Sequence, residues 1–160
     1  MSSGQNEKAI SSLQKATEKD PENYTIWFAL GDMYDKFAAD TSLTEEARSE
    51  YFNRAEKAYK TAIDVKEDYF DAYFNLGALY VNKAAEIQQV ANDLPLEAVE
   101  EYDKLKAKAD DLLAKALPYL ESAYEIKTDD RATMLSLKEI YTRLGQLDKA
   151  KEINMKLQQQ

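Results

Sequence analysis

One segment of eight residues decides the fold: Trp27-Phe28-Ala29-Leu30-Gly31-Asp32-Met33-Tyr34. Its pattern recurs twice, in Tyr73-Phe74-Asn75-Leu76-Gly77-Ala78-Leu79-Tyr80 and in Met134-Leu135-Ser136-Leu137-Lys138-Glu139-Ile140-Tyr141. Each copy begins with a large apolar residue, has Leu three positions later and ends with Tyr seven positions later. This spacing puts the three side chains on one face of an α-helix. The copies therefore predict three equivalent helices.

A second pattern predicts the helices that pack against these three. It repeats small or apolar residues at a spacing of four and then three positions. The four sets are Ala9, Leu13 and Ala16; Ala55, Tyr59 and Ala62; Ala116, Leu120 and Ala123; and Ala150, Asn154 and Leu157. Small residues let two helices approach closely. Gly31 and Gly77 favour the same close approach, although glycine costs about 1 kcal/mol of helix propensity relative to alanine.

Together these residues resemble the tetratricopeptide repeat, whose unit carries an aromatic residue, Leu-Gly, Tyr, Ala, an aromatic residue, Ala and Pro. The matching residues are Trp27, Leu30, Gly31, Tyr34, Ala55, Tyr59 and Ala62, and Pro21 closes the unit before them. Glu67 and Thr128 stand where later units would have proline. The chain resembles bacterial members with lengthened helix pairs. The resemblance implies an all-α, right-handed superhelix of antiparallel helix pairs, with about three and a half repeats.

We expect one domain over residues 1–160, divided by the repeats into four parts. They are an unpaired second helix at 6–20, repeat 1 at 22–67, repeat 2 at 68–128, and repeat 3 with a C-terminal cap at 129–158. The Tyr that ends each eight-residue segment and the first Ala of the following helix set are 21 positions apart in repeat 1 and 36 in repeat 2, but only 9 in repeat 3. We interpret the two insertions as lengthened helical hairpins.

The longer insertion contains a heptad-like seam that predicts how its two helices pair. The seam positions are Val99, Tyr102, Leu105, Ala109, Leu112 and Ala116, which would face Ala84, Ile87 and Ala91. Pro95 is expected in the turn. Pro118 falls inside the second helix, where its missing N–H predicts a bend near residues 114–117. In the shorter hairpin, either Ser42 or Thr44 is expected to cap the following helix.

The two ends of the chain differ in polarity. The last helix is hydrophilic, as expected of a capping repeat. The helix at 6–20 has no first helix before it. We therefore expect either that the chain is cut from a longer array, which we favour, or that a partner covers this face.

Charge and composition disfavour several functions. A net charge of −9 argues against nucleic acid, which requires clustered Lys and Arg. The chain has no His and no Cys, so the commonest general base and the best nucleophile are missing and no disulfide can form. Acidic pairs lack the alternating pattern of a calcium loop, and no cofactor or metal site is predicted. No apolar run approaches the roughly 20 residues of a membrane span. We predict no enzyme; the compartment, cytoplasm or periplasm, stays open.

The family resemblance also implies a binding surface, since the first helices of tetratricopeptide repeats line a concave groove that holds a protein or peptide. The residues assigned to binding are Phe28, Asp32, Asp35, Asp71, Phe74, Asn75, Ala78, Leu135, Glu139 and Arg143. Carboxylates beside Phe and Leu favour a partner that is apolar and neutral to basic. Leu135 and Glu139 occupy positions where a clamp for a C-terminal carboxylate would need basic residues, so carboxylate clamping is not expected.

Alternatives to this hypothesis stay open. The apolar residues of the groove could simply pack against a neighbouring repeat. A homodimer through the N-terminal face or the projecting hairpin is the alternative function. Six tyrosines have no packing role in the repeat pattern and stay open as ligand contacts: Tyr24, Tyr51, Tyr69, Tyr102, Tyr119 and Tyr124.

Overall fold

The computed structural model describes residues 3–159, with side chains from Glu7 onward, and within this part of the chain every regular element is helical. The helices are α1 (Ser3–Lys19), α2 (Tyr24–Ala38), α3 (Glu45–Val65), α4 (Phe70–Asn92), α5 (Val99–Ile126), α6 (Arg131–Arg143) and α7 (Leu147–Gln158). Short loops join them. The all-α prediction is therefore confirmed.

The chain divides into two compact units, an N-terminal unit (Met1–Leu76) and a C-terminal unit (Gly77–Gln160). The division falls within α4, whose first turns belong to the N-terminal unit. The N-terminal unit also contains α1, α2 and α3. The C-terminal unit contains the rest of α4 together with α5, α6 and α7.

The core of the N-terminal unit is built from the repeat residues of α2 and α3. Leu30 and Tyr34 are buried on α2, and Tyr59 is fully buried on α3. A Cβ atom added to Gly31 would lie 2.7 Å from ring atoms of Tyr59. The predicted close approach of these helices is confirmed, because only a residue without a side chain fits under the ring. The Gln14 Nε2 amide of α1 donates a hydrogen bond of 2.9 Å to the Tyr34 hydroxyl.

The core of the C-terminal unit repeats this arrangement with different residues. A Cβ atom on Gly77 would lie 2.6 Å from the Leu120 side chain, so α4 and α5 are as close as α2 and α3. In the pair α6–α7 the equivalent positions hold Lys138 and Asn154. Their side chains join through a hydrogen bond of 3.2 Å from Lys138 Nζ to Asn154 Oδ1.

The insertions are lengthened helices, as the sequence predicts. Helices α3, α4 and α5 have 21, 23 and 28 residues, against 15 in α2 and 13 in α6. Thr44 caps α3, since its side chain accepts a hydrogen bond of 3.3 Å from the Ala47 N–H. Helix α5 continues through Pro118.

The predicted seam of the long hairpin is only partly correct. Ala84, Ile87 and Ala91 are buried, as are Ala109 and Ala116 on α5. Between these two alanines the sequence predicts Leu112 in the seam, but Leu112 is only half-buried and the neighbouring Leu113 is buried in its place. Val99 and Tyr102 are exposed. The seam therefore closes the base of the hairpin and leaves its tip uncovered.

Candidate functional site

Six of the residues assigned to binding lie in the N-terminal unit. Phe28, Asp32 and Asp35 share one face of α2, because positions i, i+4 and i+7 coincide on a helix. Asp71, Phe74 and Asn75 lie in the first turns of α4. All are half-buried except Asp71, which is exposed. We refer to these six residues as the α2–α4 surface.

Aromatic rings form the apolar part of this surface. The Phe28 ring lies 5.3 Å from the Tyr69 ring and 5.8 Å from the Tyr59 ring, centroid to centroid. Tyr24 meets Tyr69 edge-on at 4.7 Å. Such tilted pairs satisfy the quadrupoles of the rings. The cluster is therefore both a packing feature and a platform of ring faces.

A lysine of the same unit already uses these rings. Lys66 Nζ lies 4.6 Å from the centroid of Tyr24 and 5.8 Å from that of Tyr69, which is cation–π distance. Tyr24 and Tyr69 were not among the residues assigned to binding. The only signal in the sequence was that the repeat pattern gives these tyrosines no packing role.

The Tyr59 hydroxyl is the polar atom at the bottom of the surface. It is buried and has no hydrogen-bond partner. Burial raises the pKa of Tyr59 well above its usual value, and the negative charges of Asp35 and Asp32 raise it further. The Asn75 side chain acts in the opposite direction without completing a hydrogen bond of normal geometry. The hydroxyl thus marks the place where side chains of α2 and α4 converge.

Asp35 carries a charge in an unfavourable place. Burial raises the pKa of its carboxyl above the usual value, and the neighbouring Asp32 carboxylate raises it as well. Lys36 lowers it by a smaller amount. Lys36 Nζ is itself paired with Asp32 Oδ2 at 2.7 Å, with both side chains largely exposed. The surface therefore holds more negative charge than it neutralises.

The other aromatic residue of the surface has a simpler environment. The Phe74 ring stacks on the Phe70 ring, with 5.9 Å between centroids. Phe74 and Phe70 lie one helical turn apart on α4, so their contact is local. Phe74 is half-buried, so part of its side chain is left for another contact.

The remaining four assigned residues lie in the C-terminal unit. Leu135 is 45% exposed and Glu139 is exposed on α6, while Ala78 is half-buried on α4. Arg143 has partners of its own. Its Nε donates to Asp110 Oδ1 at 2.7 Å and a terminal nitrogen donates to Gln88 Oε1 at 2.5 Å. Arg143 therefore joins α4, α5 and α6 within this unit.

Two kinds of feature were sought among the described residues, metal-binding clusters and membrane-spanning helices. Among them, no group of three acidic side chains is arranged to hold a metal ion. None of the helices in residues 3–159 combines the length and hydropathy needed to cross a bilayer.

The same buried pair of Leu and Tyr recurs in three helices, at 30 and 34, 76 and 80, and 137 and 141, which is typical of a helical-repeat protein. A family model described as TPR repeat matches residues 1–36 and 50–83. The gap between the two stretches falls within the insertion of repeat 1. The predicted resemblance to the tetratricopeptide repeat is thereby confirmed for these two stretches of the chain.

Solved structures agree with this assignment. The chain is similar to a TPR repeats protein from Bacteroides fragilis, with 27% sequence identity and a TM-score of 0.57. The match covers 86% of this chain but only 60% of that protein, so this chain spans less than two thirds of its relative. A search of curated proteins gave no match.

Two structures of a monomeric mutant of IFIT1 are similar in fold alone. One is with Gppp-AAAA and the other with m7Gppp-AAAA; both have 16% identity and a TM-score of 0.50. The matches cover 95% and 98% of this chain and 46% of each IFIT1 chain.

Proposed function

We propose that this protein is a non-catalytic scaffold whose α2–α4 surface binds a segment of another protein, apolar in its centre and carrying Lys or Arg. Tetratricopeptide repeats generally mediate protein–protein interaction, and the helix pairs here provide the same kind of surface. Leu135, Glu139, Ala78 and Arg143 are proposed as further contacts within the C-terminal unit.

The observation that carries this proposal is that two polar groups beneath the aromatic rings, the Asp35 carboxylate and the Tyr59 hydroxyl, lie in unfavourable environments. Asp35 is half-buried next to a second carboxylate, and the Tyr59 hydroxyl beside it is buried without a hydrogen bond. Buried polar groups without partners are costly, and proteins keep few of them. A Lys or Arg of a bound segment would neutralise Asp35, while Phe28 and Phe74 would contact its apolar side chains. These aromatic residues are of the kind that anchors an interface.

The first test is selection of random displayed peptides on the full chain, followed by fluorescence polarisation of the enriched sequences. We expect Phe74→Ala to weaken binding about tenfold, as loss of an aromatic anchor does. Phe37→Ala is the matched control. Phe37 lies on the opposite face of α2 and stacks on Tyr51 at 4.9 Å, so its loss should change affinity less than about twofold.

Asp35→Asn gives a test that unfolding cannot mimic. Removing a carboxylate that burial disfavours should stabilise the fold at pH 7, yet it should weaken binding of a basic peptide about threefold or more. Asp64→Asn, an exposed change on α3, is the control. Unchanged affinity in both Phe74→Ala and Asp35→Asn would refute the proposed surface.

Self-association is the alternative function, and exposed apolar side chains on the long hairpin are the reason to test it. On the N-terminal face Ile10 is buried, which leaves less apolar surface there than the sequence suggested. Light scattering coupled to size-exclusion chromatography separates the two functions. A mass of 18.3 kDa at every concentration supports the scaffold, whereas a concentration-dependent dimer supports self-association.

A further inference from the structure

The tip of the α4–α5 hairpin carries an unusual concentration of exposed apolar side chains. Within the described residues, half of the large apolar side chains that are exposed fall in residues 90–102. Leu96 is 95% exposed, Val99 59%, Val90 52% and Tyr102 36%. Scattered exposed apolar residues are ordinary, but a contiguous group marks a contact surface.

Three of these side chains, Leu96, Val99 and Tyr102, line a cavity of about 490 Å³. Its walls come from the end of α4, the connecting loop and the first turn of α5, including Ala91, Leu94, Pro95, Val99 and Tyr102. A volume of roughly 300–1,000 Å³ with mostly apolar walls is typical of sites that take a ligand. The cavity is therefore large enough to accept apolar side chains from a partner.

Negative charge surrounds the cavity. Residues 90–103 contain five carboxylates and no Lys or Arg: Asp93, Glu97, Glu100, Glu101 and Asp103. All five are exposed. Within the described part of the chain none of them forms a salt bridge, although Asp93 accepts a hydrogen bond of 3.0 Å from Gln89 Nε2. The tip thus carries a net negative charge, and the first cation beyond it on α5 is Lys104.

The base of the hairpin is held firmly, so the tip is presented on a fixed support. Ala84 and Ile87 of α4 and Ala109 of α5 are buried below the tip. Arg143 of α6 binds Asp110 of α5 and Gln88 of α4 at 2.7 and 2.5 Å. A preformed site loses less conformational entropy on binding than a mobile one.

We propose that this tip, comprising residues 90–103, is a second docking site that binds an amphipathic protein segment with two or three large apolar side chains flanked by Lys or Arg. Helix-in-groove recognition uses this combination of apolar anchors and flanking charge. A second copy of the chain is a poor occupant, because ten carboxylates would face one another across a symmetric contact. An anionic bilayer is repelled for the same reason. The site lies wholly in the C-terminal unit and does not depend on the α2–α4 surface.

The test uses the full chain carrying Phe74→Ala, which disables the α2–α4 surface but leaves the tip intact. Random displayed 16-residue peptides are selected on this variant and counter-selected on a variant that also carries Leu96→Asp. We expect enriched sequences with apolar residues at helical spacing and a net positive charge. Failure to enrich any sequence over the counter-selection, or enrichment of acidic sequences, would overturn the proposal.

Single variants then locate binding of an enriched peptide. Leu96→Asp, and Glu100→Lys with Glu101→Lys, should each weaken it about tenfold. Leu147→Asp is the matched control, since Leu147 is 55% exposed elsewhere in the same unit, and it should change affinity less than about twofold. Because Leu96 is almost fully exposed, Leu96→Asp should retain the circular dichroism of the parent chain.

Other occupants give distinct results that would also overturn the proposal. Leu96→Asp would abolish a concentration-dependent dimer if a second copy covered the tip. It would abolish binding to phosphatidylcholine vesicles if a bilayer did. If peptide binding at the tip persists in Phe74→Ala while all other peptide binding is lost, the second site is supported. If binding at the tip is lost and the other peptide binding persists, only the α2–α4 surface is supported.

Discussion

The helix pairs α2–α3 and α6–α7 fill the equivalent contact between their two helices with different residues. In α2–α3 a glycine lies under a fully buried aromatic ring, with a Cβ at Gly31 coming within 2.7 Å of Tyr59. In α6–α7 the equivalent residues are Lys138 and Asn154, joined by a hydrogen bond of 3.2 Å. The contact in the first pair depends on the shapes of the two residues, and the contact in the second pair depends on a hydrogen bond between polar side chains.

The difference explains where the candidate site lies. The buried Tyr59 ring carries a hydroxyl that lies beside Asp35 and Asn75. The polar pair in α6–α7 brings no such group. A repeat position that is filled by shape can therefore create a binding surface, whereas one filled by a hydrogen bond mainly holds two helices together.

The largest effect should come from truncating the central residue of each pair. Tyr59→Ala removes a fully buried ring and should lower the free energy of unfolding by about 3–5 kcal/mol. Asn154→Ala removes one partly buried hydrogen bond and should cost about 1 kcal/mol. Urea denaturation followed by the fluorescence of the single tryptophan, Trp27, reports on the first pair. Equal losses in the two variants would contradict the distinction between shape and polarity.

The glycine position should respond next most strongly. Alanine is the better helix former, so Gly31→Ala would stabilise an isolated helix by about 1 kcal/mol. Here the added Cβ meets the Tyr59 ring, and overpacking should reverse the sign to a net loss of about 1–3 kcal/mol. Lys138→Ala removes the same hydrogen bond as Asn154→Ala and should cost about 1 kcal/mol. Hydrogen exchange of α2 and α6 amides measures both, and a gain for Gly31→Ala would show that the two helices can move apart.

Capping residues sharpen the comparison at the level of local structure. Asp130 caps α6 by accepting from the Thr133 N–H at 2.8 Å and from its hydroxyl at 2.7 Å, and Thr133 is fully buried. Asp130→Ala should therefore cost about 2 kcal/mol. The Thr44 cap of α3 is exposed and its bond is 3.3 Å long, so Thr44→Ala should cost about 0.5 kcal/mol. Thermal unfolding of the two variants compares them directly, with Ser42→Ala as a control.

The smallest effects concern two carboxylates whose pKa shifts are opposite. Burial first, and then Asp32, raise the pKa of Asp35. Burial also acts to raise the pKa of Glu121, but hydrogen bonds from Tyr141 at 2.7 Å and Lys149 at 3.0 Å outweigh it and the pKa is lowered. Ionised Asp35 therefore destabilises the fold and ionised Glu121 stabilises it.

Stability measured against pH distinguishes the two groups. Asp35→Asn should raise stability at pH 7, and the gain should fade as pH drops towards 3.8, where the unfolded carboxyl also becomes neutral. Glu121→Gln should lower stability at pH 7, and the loss should shrink as pH falls below 4.5 and through the lower folded pKa. Urea midpoints between pH 3 and pH 7 provide the measurement. Shifts of the same sign in both variants would mean that one environment has been misassigned.

Repeats were the easiest feature to predict, because each repeat residue contacts others in its own helix pair. The pairing of Gly31 with Tyr59 and of Gly77 with Leu120 follows directly from the sequence pattern. The seam of the long hairpin was harder. It runs through Leu113 instead of Leu112, while Ala109 and Ala116 on either side are buried as predicted, because a spacing of four and then three fits the same helical face as three and then four.

Contacts between distant residues were not predictable from the pattern. Tyr24 and Tyr69 meet at 4.7 Å although one lies on α2 and the other in the turn before α4, and no repeat rule pairs them. Arg143 was assigned to a bound partner, yet its side chain bridges Asp110 and Gln88. The hydrogen-bond partners of Arg143 lie on two other helices, so the pattern of residues along its own helix could not predict them.

The sequence by itself determined the helices, their pairing and the class of protein, since periodicity and small residues act locally. The tertiary structure decided which of the matched positions stay open. It buried the Tyr59 hydroxyl beside Asp35 without a hydrogen bond, and it left Leu96 exposed at a tip with five carboxylates. The physical reason is that burial and charge balance depend on every neighbour of a side chain, whereas helix pairing depends on the spacing of residues along one helix.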